Sequence, residues 1–256
     1  MKHKIVMLAG NNVSTRLLFH ALSQDFEIAS VILEDGVPPA TFIRRRIKKH
    51  GLTKVAGQIL FQLLVVPYLK RQSRPRIAEI WRQFNFIAAA IPAEKIVKVD
   101  SVNSPATITL LQALEPDIVI VNGTRIIAKK VLEAIAAPFV NMHAGITPLY
   151  RGVHGGYWAL VEHNPAACGV TIHLVDPGID TGTVLGQALI QPGSADSFVT
   201  YPLLQLGAGI PLLRQILRDM LAGTTLAPPP PPLASQLRTH PSLWEYGWYR
   251  WRFKIK

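Results

Sequence analysis

The run Val140-Asn141-Met142-His143-Ala144-Gly145-Ile146-Thr147-Pro148 sets an amide and an imidazole two residues apart at the end of an apolar stretch. In an extended strand the side chains of i and i+2 leave by the same face, so Asn141 and His143 share one small space. A loop shaped by glycine and proline follows at once. A second run, His173-Leu174-Val175-Asp176-Pro177-Gly178-Ile179-Asp180-Thr181-Gly182, leaves a strand and turns tightly, because Gly178 and Gly182 accept backbone shapes that other residues resist. It presents Asp176 and Asp180 on a loop. A donating amide, an imidazole that titrates near neutral pH and a carboxylate are the side chains of hydrogen-bond donation and proton transfer. The plain alternatives are a satisfied core histidine for His143 and a turn residue bonding its own backbone for Asp176. His173 has no evident partner and reads as structural.

These residues need elements to hold them. Apolar, β-rich runs at Lys4–Ala9, Glu27–Leu33, Asp117–Val121, Phe139–His143, Val170–Val175 and Val184–Ile190 alternate with helical stretches at Ser14–Ser23, Ser104–Ala113, Ala128–Ile135 and Gly155–His163. That alternation predicts an α/β fold: a doubly wound, mostly parallel sheet with helices on both faces. In such sheets ligands bind beyond the carboxyl ends of strands, near the point where strand order reverses. Residues 36–97, with Pro38-Pro39, a basic run and an amphipathic stretch through Trp81, break the alternation and predict a helical insertion. Thr200–Leu221 reads as a closing helix broken by Gly207, Gly209 and Pro211. The organisation expected is a catalytic domain over 1–225, a proline-rich spacer over 226–233 and a basic, aromatic tail over 234–256. No internal repeat is visible.

Composition narrows the setting. A chain of 256 residues buries a sizeable core. Its one cysteine, Cys168, forms no internal disulfide, which agrees with a reducing, cytoplasmic compartment, and no His, Cys or carboxylate cluster has metal-ligand spacing. The N-terminal apolar run is too short for a secretion signal and ends in Gly10-Asn11-Asn12. Ile59–Leu69, interrupted by Gln62 and Pro67, falls short of the roughly 18 apolar residues of a membrane span, so no transmembrane helix is expected. The net charge of +11 is uneven: Arg44 to Arg82 holds eleven Lys and Arg residues and one acid, Glu79. A nucleotide, a phosphate, RNA or an anionic membrane surface would suit that segment, and so would a solvated basic face.

Taken together, the two site segments resemble the folate-dependent formyltransferase family, whose members carry Asn-x-His, a Pro-containing loop, Gly-x-Thr-x-His and Asp-x-Gly in this order. Further matches between Met1 and about Leu221 are Gly10-Asn11-Asn12, Pro116-Asp117, Thr124-Arg125-Ile126-Ile127, Gly169-Val170-Thr171-Ile172-His173 and Gln187. The resemblance implies a Rossmann-like fold and transfer of a formyl group from 10-formyltetrahydrofolate to an amine, with no metal. It implies Asn141, His143 and Asp180 as the catalytic residues. Asn141 donates to the oxyanion; His143 donates to it as well if protonated or accepts a proton if neutral, with oxyanion stabilisation favoured; and Asp180 either orients His143 or relays the amine proton through a water. The donor's pterin would lie against Thr124, Arg125, Ile126, Ile127 and Asp176.

The acceptor is less determined. Gly10, Asn11 and Asn12 keep the start of the phosphate-cradling loop of glycinamide-ribonucleotide formyltransferases but lose its second glycine. The methionyl-tRNA enzymes carry a second barrel domain, for which the chain beyond Pro232 is too short. The Pro148-x-Tyr150-Arg151-Gly152 loop is similar to that of enzymes acting on nucleotide-linked amino sugars, and Tyr150, Arg151 and the early loop are the expected acceptor contacts. A formyltetrahydrofolate hydrolase would use the same three catalytic residues, and a basic adaptor on RNA or membrane is the non-enzymatic alternative. For the tail aromatics, packing onto the domain or within a homodimer ranks first, a membrane surface second and nucleic acid third.

Overall fold

The computed structural model describes residues 3–36, 38–224 and 234–256. The proline run 228–232, expected as a spacer, lies outside these. Strands β1 (Ile5–Gly10), β2 (Ile28–Glu34), β3 (Ile96–Val99), β4 (Ile118–Asn122), β5 (Phe139–His143), β7 (Gly169–Leu174) and β8 (Val184–Leu189) form one sheet in the order β3-β2-β1-β4-β5-β7-β8. β6 (Tyr150–Gly152) pairs apart from it with β9 (Gln236–Arg238). The first five strands run parallel, and β7 and β8 extend the sheet antiparallel. Strand order reverses between β1 and β4.

The helices are α1 (Val13–Leu22), α2 (Pro39–His50), α3 (Leu52–Leu60), α4 (Val66–Gln72), α5 (Arg74–Gln83), α6 (Pro105–Leu114), α7 (Lys129–Leu132), α8 (Gly155–Val161), α9 (Tyr201–Leu221) and α10 (Leu243–Phe253). Alternation along β1 shows how the sheet is covered. Ile5 and Met7 pack with Leu17 and Leu18 of α1 and with Leu213 and Leu217 of α9, whereas Val6 and Leu8 pack on the other side with Leu111 of α6 and Val131 of α7. Both faces are thus buried, as near-continuous apolar strands require.

Three features depart from the sequence expectation. β3 falls at the end of the segment expected to be wholly helical; it is a half-exposed edge strand carrying Lys98, so it lacks the apolar signature of a core strand. α9 is continuous. Its Gly207 faces the ring of Phe84 and its Gly209 the Met142 sulfur, so these glycines admit close neighbours and do not end the helix. Residues 52–72 form one helix in which α3 and α4 are joined by a π turn (Phe61–Val65), the Val66 N–H reaching back to the Phe61 carbonyl just before Pro67. This helix is long and apolar enough to cross a membrane by length and composition, where the shorter run read from sequence was not. The tail packs on the body, the arrangement ranked first for its aromatics. A Ser242–Glu245 capping box starts α10, Tyr246 is buried against Phe61 and Tyr157, and the Phe198 N–H donates to the Lys256 carbonyl.

Candidate active site

β5 delivers Asn141 and His143 to its carboxyl end, and antiparallel β7 sets His173 directly opposite Asn141. The Asn141 Nδ2 lies 3.1 Å from His173 Nε2. His173 Nδ1 lies 2.7 Å from the Leu174 carbonyl, an acceptor, so Nδ1 carries the hydrogen and Nε2 accepts from Asn141. One Asn141 hydrogen is held there. The other is free to donate.

The loop after β7 brings the carboxylate. Asp176 organises it, accepting from the Gly178 N–H at 3.0 Å and the Thr181 hydroxyl at 2.7 Å. Asp180 then sits at φ +52°, a left-handed conformation that Asp tolerates better than most residues. Its Oδ2 accepts from the Gly152 N–H at 2.9 Å and lies 3.3 Å from His143 Nδ1, while its Oδ1 is 3.7 Å from His173 Nε2. Asn141, His143 and Asp180, far apart in the chain, therefore converge, with His173 among them.

The loop after β5 is held equally closely. His143 Nε2 donates to the Tyr150 carbonyl at 2.8 Å. Gly145 lies beneath the imidazole, where a Cβ would come within 2.7 Å of Nε2, so only glycine fits. Thr171 accepts from the Thr147 N–H at 3.0 Å and donates to the Gly145 carbonyl at 2.8 Å, and Gln187 donates to the Thr147 carbonyl at 2.8 Å. The Thr147–Pro148 bond is cis.

Burial is the strongest influence on His143 and pushes its pKa down; nearby Asp180 and the bond to Tyr150 oppose it, and His173 adds to the lowering. For Asp180, burial alone raises the carboxyl, but an Nε2 hydrogen on a protonated His173, the charge of a protonated His143 and the Gly152 N–H together outweigh it, and the group titrates below its usual range. At neutral pH the arrangement is an ionised Asp180 beside a neutral His143. With the Nε2 hydrogen committed to Tyr150, the imidazole lone pair is on Nδ1, and a proton arriving there is shared with the carboxylate.

A cavity of about 400 Å³ opens onto these groups. Thr124, Arg125, Ile126, Ile127 and Asp176 all line it. Arg125, however, is engaged: its Nε lies 2.7 Å from the buried Glu34 carboxylate and its Nη2 donates to the Asp35 carbonyl at 2.8 Å, tying the loop to the end of β2. Ile127 is buried, and Ile126 is the exposed apolar side chain of the pair.

The expected acceptor contacts fare differently. Gly10, Asn11 and Asn12 do not line this cavity; Asn12 caps α1, its Oδ1 accepting from the Thr15 N–H at 2.9 Å. The next residues, Val13 and Ser14, line a second, mainly apolar cavity of about 250 Å³, which shares Met142 and Ala144 with the first. Tyr150 turns its ring into the core at 3% exposure and serves the site through its carbonyl. Arg151 is occupied by the Ile179 carbonyl at 2.9 Å and the Ser235 hydroxyl at 2.7 Å, fastening the Asp180 loop to the tail. Among residues that sequence reasoning passed over, His173 is the main one: its partner is fixed by antiparallel register, although the Gly-x-Thr-x-His run that contains it was visible. Among the described residues no group of three or more His, Cys, Asp and Glu side chains is arranged as a metal centre.

Comparison with known proteins agrees with this geometry. Methionyl-tRNA formyltransferase of Chloroflexus aggregans is 31% identical over 125 residues, which is 48% of this chain and 40% of that protein. The Trichodesmium erythraeum enzyme of the same name is 33% identical over 115 residues, 44% of this chain and 34% of that one. The chain thus spans only about two-fifths or less of these curated relatives. Among solved structures, a sugar N-formyltransferase from a Shewanella species superposes with a TM-score of 0.57 at 14% identity, covering 92% of this chain and 76% of that one. Glycinamide ribonucleotide transformylase 1 of Symbiobacterium toebii gives 0.56 at 18% identity, covering 87% and 89%. At such identities the likeness is one of fold. The model of the formyl transferase family matches residues 69–200, just over half of the sequence, and the chain belongs to that family.

Proposed function

We propose that this protein transfers a formyl group from a 10-formyltetrahydrofolate-type donor to the nitrogen of an amine. The observation that carries the reading is the pairing of His143 Nδ1 with Asp180 Oδ2 at 3.3 Å while Nε2 is held by the Tyr150 carbonyl. A cavity of about 400 Å³ lies within the range of small-ligand pockets, roughly 300–1,000 Å³, and the backbone of Thr124–Ile127, the exposed Ile126 side chain and the Asp176 loop would hold a flat, polar-edged ring system. The folate supplies an electrophilic formyl carbon on a nitrogen leaving group.

The free Asn141 hydrogen donates to the oxygen that gains charge as the amine nitrogen bonds to that carbon. His143 Nδ1 takes the proton that the nitrogen must lose, and Asp180 stabilises the imidazolium so formed. The bond from the formyl carbon to the folate nitrogen then breaks, and the same proton is available to the leaving nitrogen. His173 fixes the amide that faces the reacting centre. In purified His143→Ala and Asp180→Asn proteins, turnover measured by mass spectrometry of the formamide product should fall by about 10²- to 10⁴-fold. Near wild-type turnover in both would sink the assignment.

For the acceptor we favour an amine on a nucleotide-linked sugar, supported by the Pro148–Gly152 loop type. The test is one screen offering dTDP- and UDP-linked amino sugars, glycinamide ribonucleotide, methionyl-tRNA and no acceptor. Reaction with the sugars upholds the reading. Reaction confined to either of the other amines replaces it, and donor consumption without any amine turns it to hydrolysis.

A further inference from the structure

The insertion and the tail each turn one side to the core and the other to solvent, and the solvent side is apolar. Along the 52–72 helix, Val55, Phe61 and Leu69 are buried, whereas Leu60, Leu63, Leu64 and Tyr68 are exposed, Leu63 at 66%. α10 repeats the pattern. Tyr246 faces inward, and Trp244, Trp248 and Trp251, spaced four and three residues apart, face outward, Trp251 at 76% exposure. The two stripes adjoin, because the Trp244 ring lies over Gly57 and Lys54 pairs with Glu245. Leucines with tryptophans and a tyrosine are the composition that settles at the boundary between lipid headgroups and acyl chains.

Charge says which surface fits. Arg44, Arg45, Lys48 and Lys49 are exposed on α2, Lys70 and Arg71 follow Tyr68, and Arg252 and Lys254 follow Trp251, all exposed. The acids within these elements, Glu79 and Glu245, are paired with Arg76 and Lys54. Such a set attracts anionic headgroups, each cation near the surface contributing on the order of 1 kcal/mol. A second copy of this chain would bring like charges together, and aliphatic leucines offer nucleic-acid bases little to stack on. Crossing the bilayer would strip the inner side of the helix, where Gln58 donates to the His240 carbonyl at 2.6 Å and accepts from Arg46 at 2.6 Å.

We propose that the outer face of residues 52–72 and α10 docks this protein on an anionic membrane surface, with Leu63, Leu64, Trp248 and Trp251 entering the headgroup region. This docking is independent of the chemistry in the cleft. The test is flotation of the full chain with vesicles of phosphatidylcholine alone or mixed with phosphatidylglycerol, with tryptophan emission followed in parallel. The chain should float with the anionic vesicles and remain behind with the neutral ones, its emission shifting to the blue on binding. Leu63→Ser, Leu64→Ser and Trp251→Ser should each weaken binding about tenfold with circular dichroism and melting temperature unchanged. Should a serine variant misfold, Lys48→Glu with Lys49→Glu must abolish the preference for anionic vesicles. Absence from the lipid layer, or variants floating like the wild type, overturns the inference. So does a dimer that the same variants split, or release of the bound chain by ribonuclease.

Discussion

At the scale of residues the site depends on how one imidazole spends its two nitrogens. Because His143 Nε2 donates to a main-chain carbonyl, Nδ1 is the titrating atom, and Asp180 stands beside it. Burial holds His143 below the ordinary imidazole pKa of about 6.5. A base works only unprotonated, so the acidic limb of the rate profile should lie below pH 6.5 and activity should rise with pH through it. Asp180 favours the protonated imidazole, so its replacement by Asn lowers that pKa further. The limb of any residual activity in Asp180→Asn should therefore move to lower pH. A limb that moves upward would show that Asp180 does not act on His143.

At the scale of elements, the packing of α9 on β5 and β7 sets where Asn141 and His143 project. Met142, between them in sequence, points to the opposite side of the sheet and lodges at Gly209, where a Cβ would come within 2.5 Å of its sulfur and 3.0 Å of Val170. Gly209→Ala should thus overpack this contact and destabilise the fold by about 1–3 kcal/mol, read from denaturant titration. Turnover should fall as well, because displacement of Met142 moves β5. Unchanged stability would mean that α9 shifts freely, against the close packing described. The pairing of β9 with β6 is the second arrangement of this kind. It places the tail against the strand whose Tyr150 carbonyl and Gly152 N–H hold His143 and Asp180.

Considered as a whole molecule, the sheet core, the insertion and the tail meet around two further histidines. The rings of His154, at the start of α8, and His240, just before α10, lie 4.8 Å apart. Burial lowers their pKa values to about 3 and about 4 respectively, with the charge of each one's neighbourhood adding to the effect. Both are therefore neutral when folded, whereas the unfolded chain takes up protons there below about pH 6.5. Stability contributed by their neutral, buried state is present above pH 6.5 and is lost as pH falls towards 4. Melting temperature should decline across that window, and a His240→Gln variant should show a shallower decline. A steeper one would mean that other groups dominate acid unfolding. On the same scale, the cleft lined from the ends of β4, β5 and β7 and the apolar outer face of 52–72 and α10 are built from different parts of the chain, so a docking surface and a reaction cleft coexist without sharing residues.

Much of this was legible before any coordinates. The apolar runs of six strands and the Asn141-x-His143 and Asp176–Asp180 runs read directly, because burial on both faces and tight turns leave local signatures. β3 was not, since an edge strand carries polar residues, and Gly207, Gly209 and Pro211 read as breaks because sequence does not reveal which neighbour a glycine admits. His173 looked idle until antiparallel register set it against Asn141, and Tyr150 and Arg151 looked like acceptor contacts until packing turned one into the core and tied the other to the tail. By itself the sequence determined the strands, the turns and the residue types available for chemistry, all products of local propensity and periodicity. Only the tertiary structure decided which nitrogen faces Asp180, what holds Asn141 and which apolar residues remain uncovered, because those depend on partners brought together from distant parts of the chain.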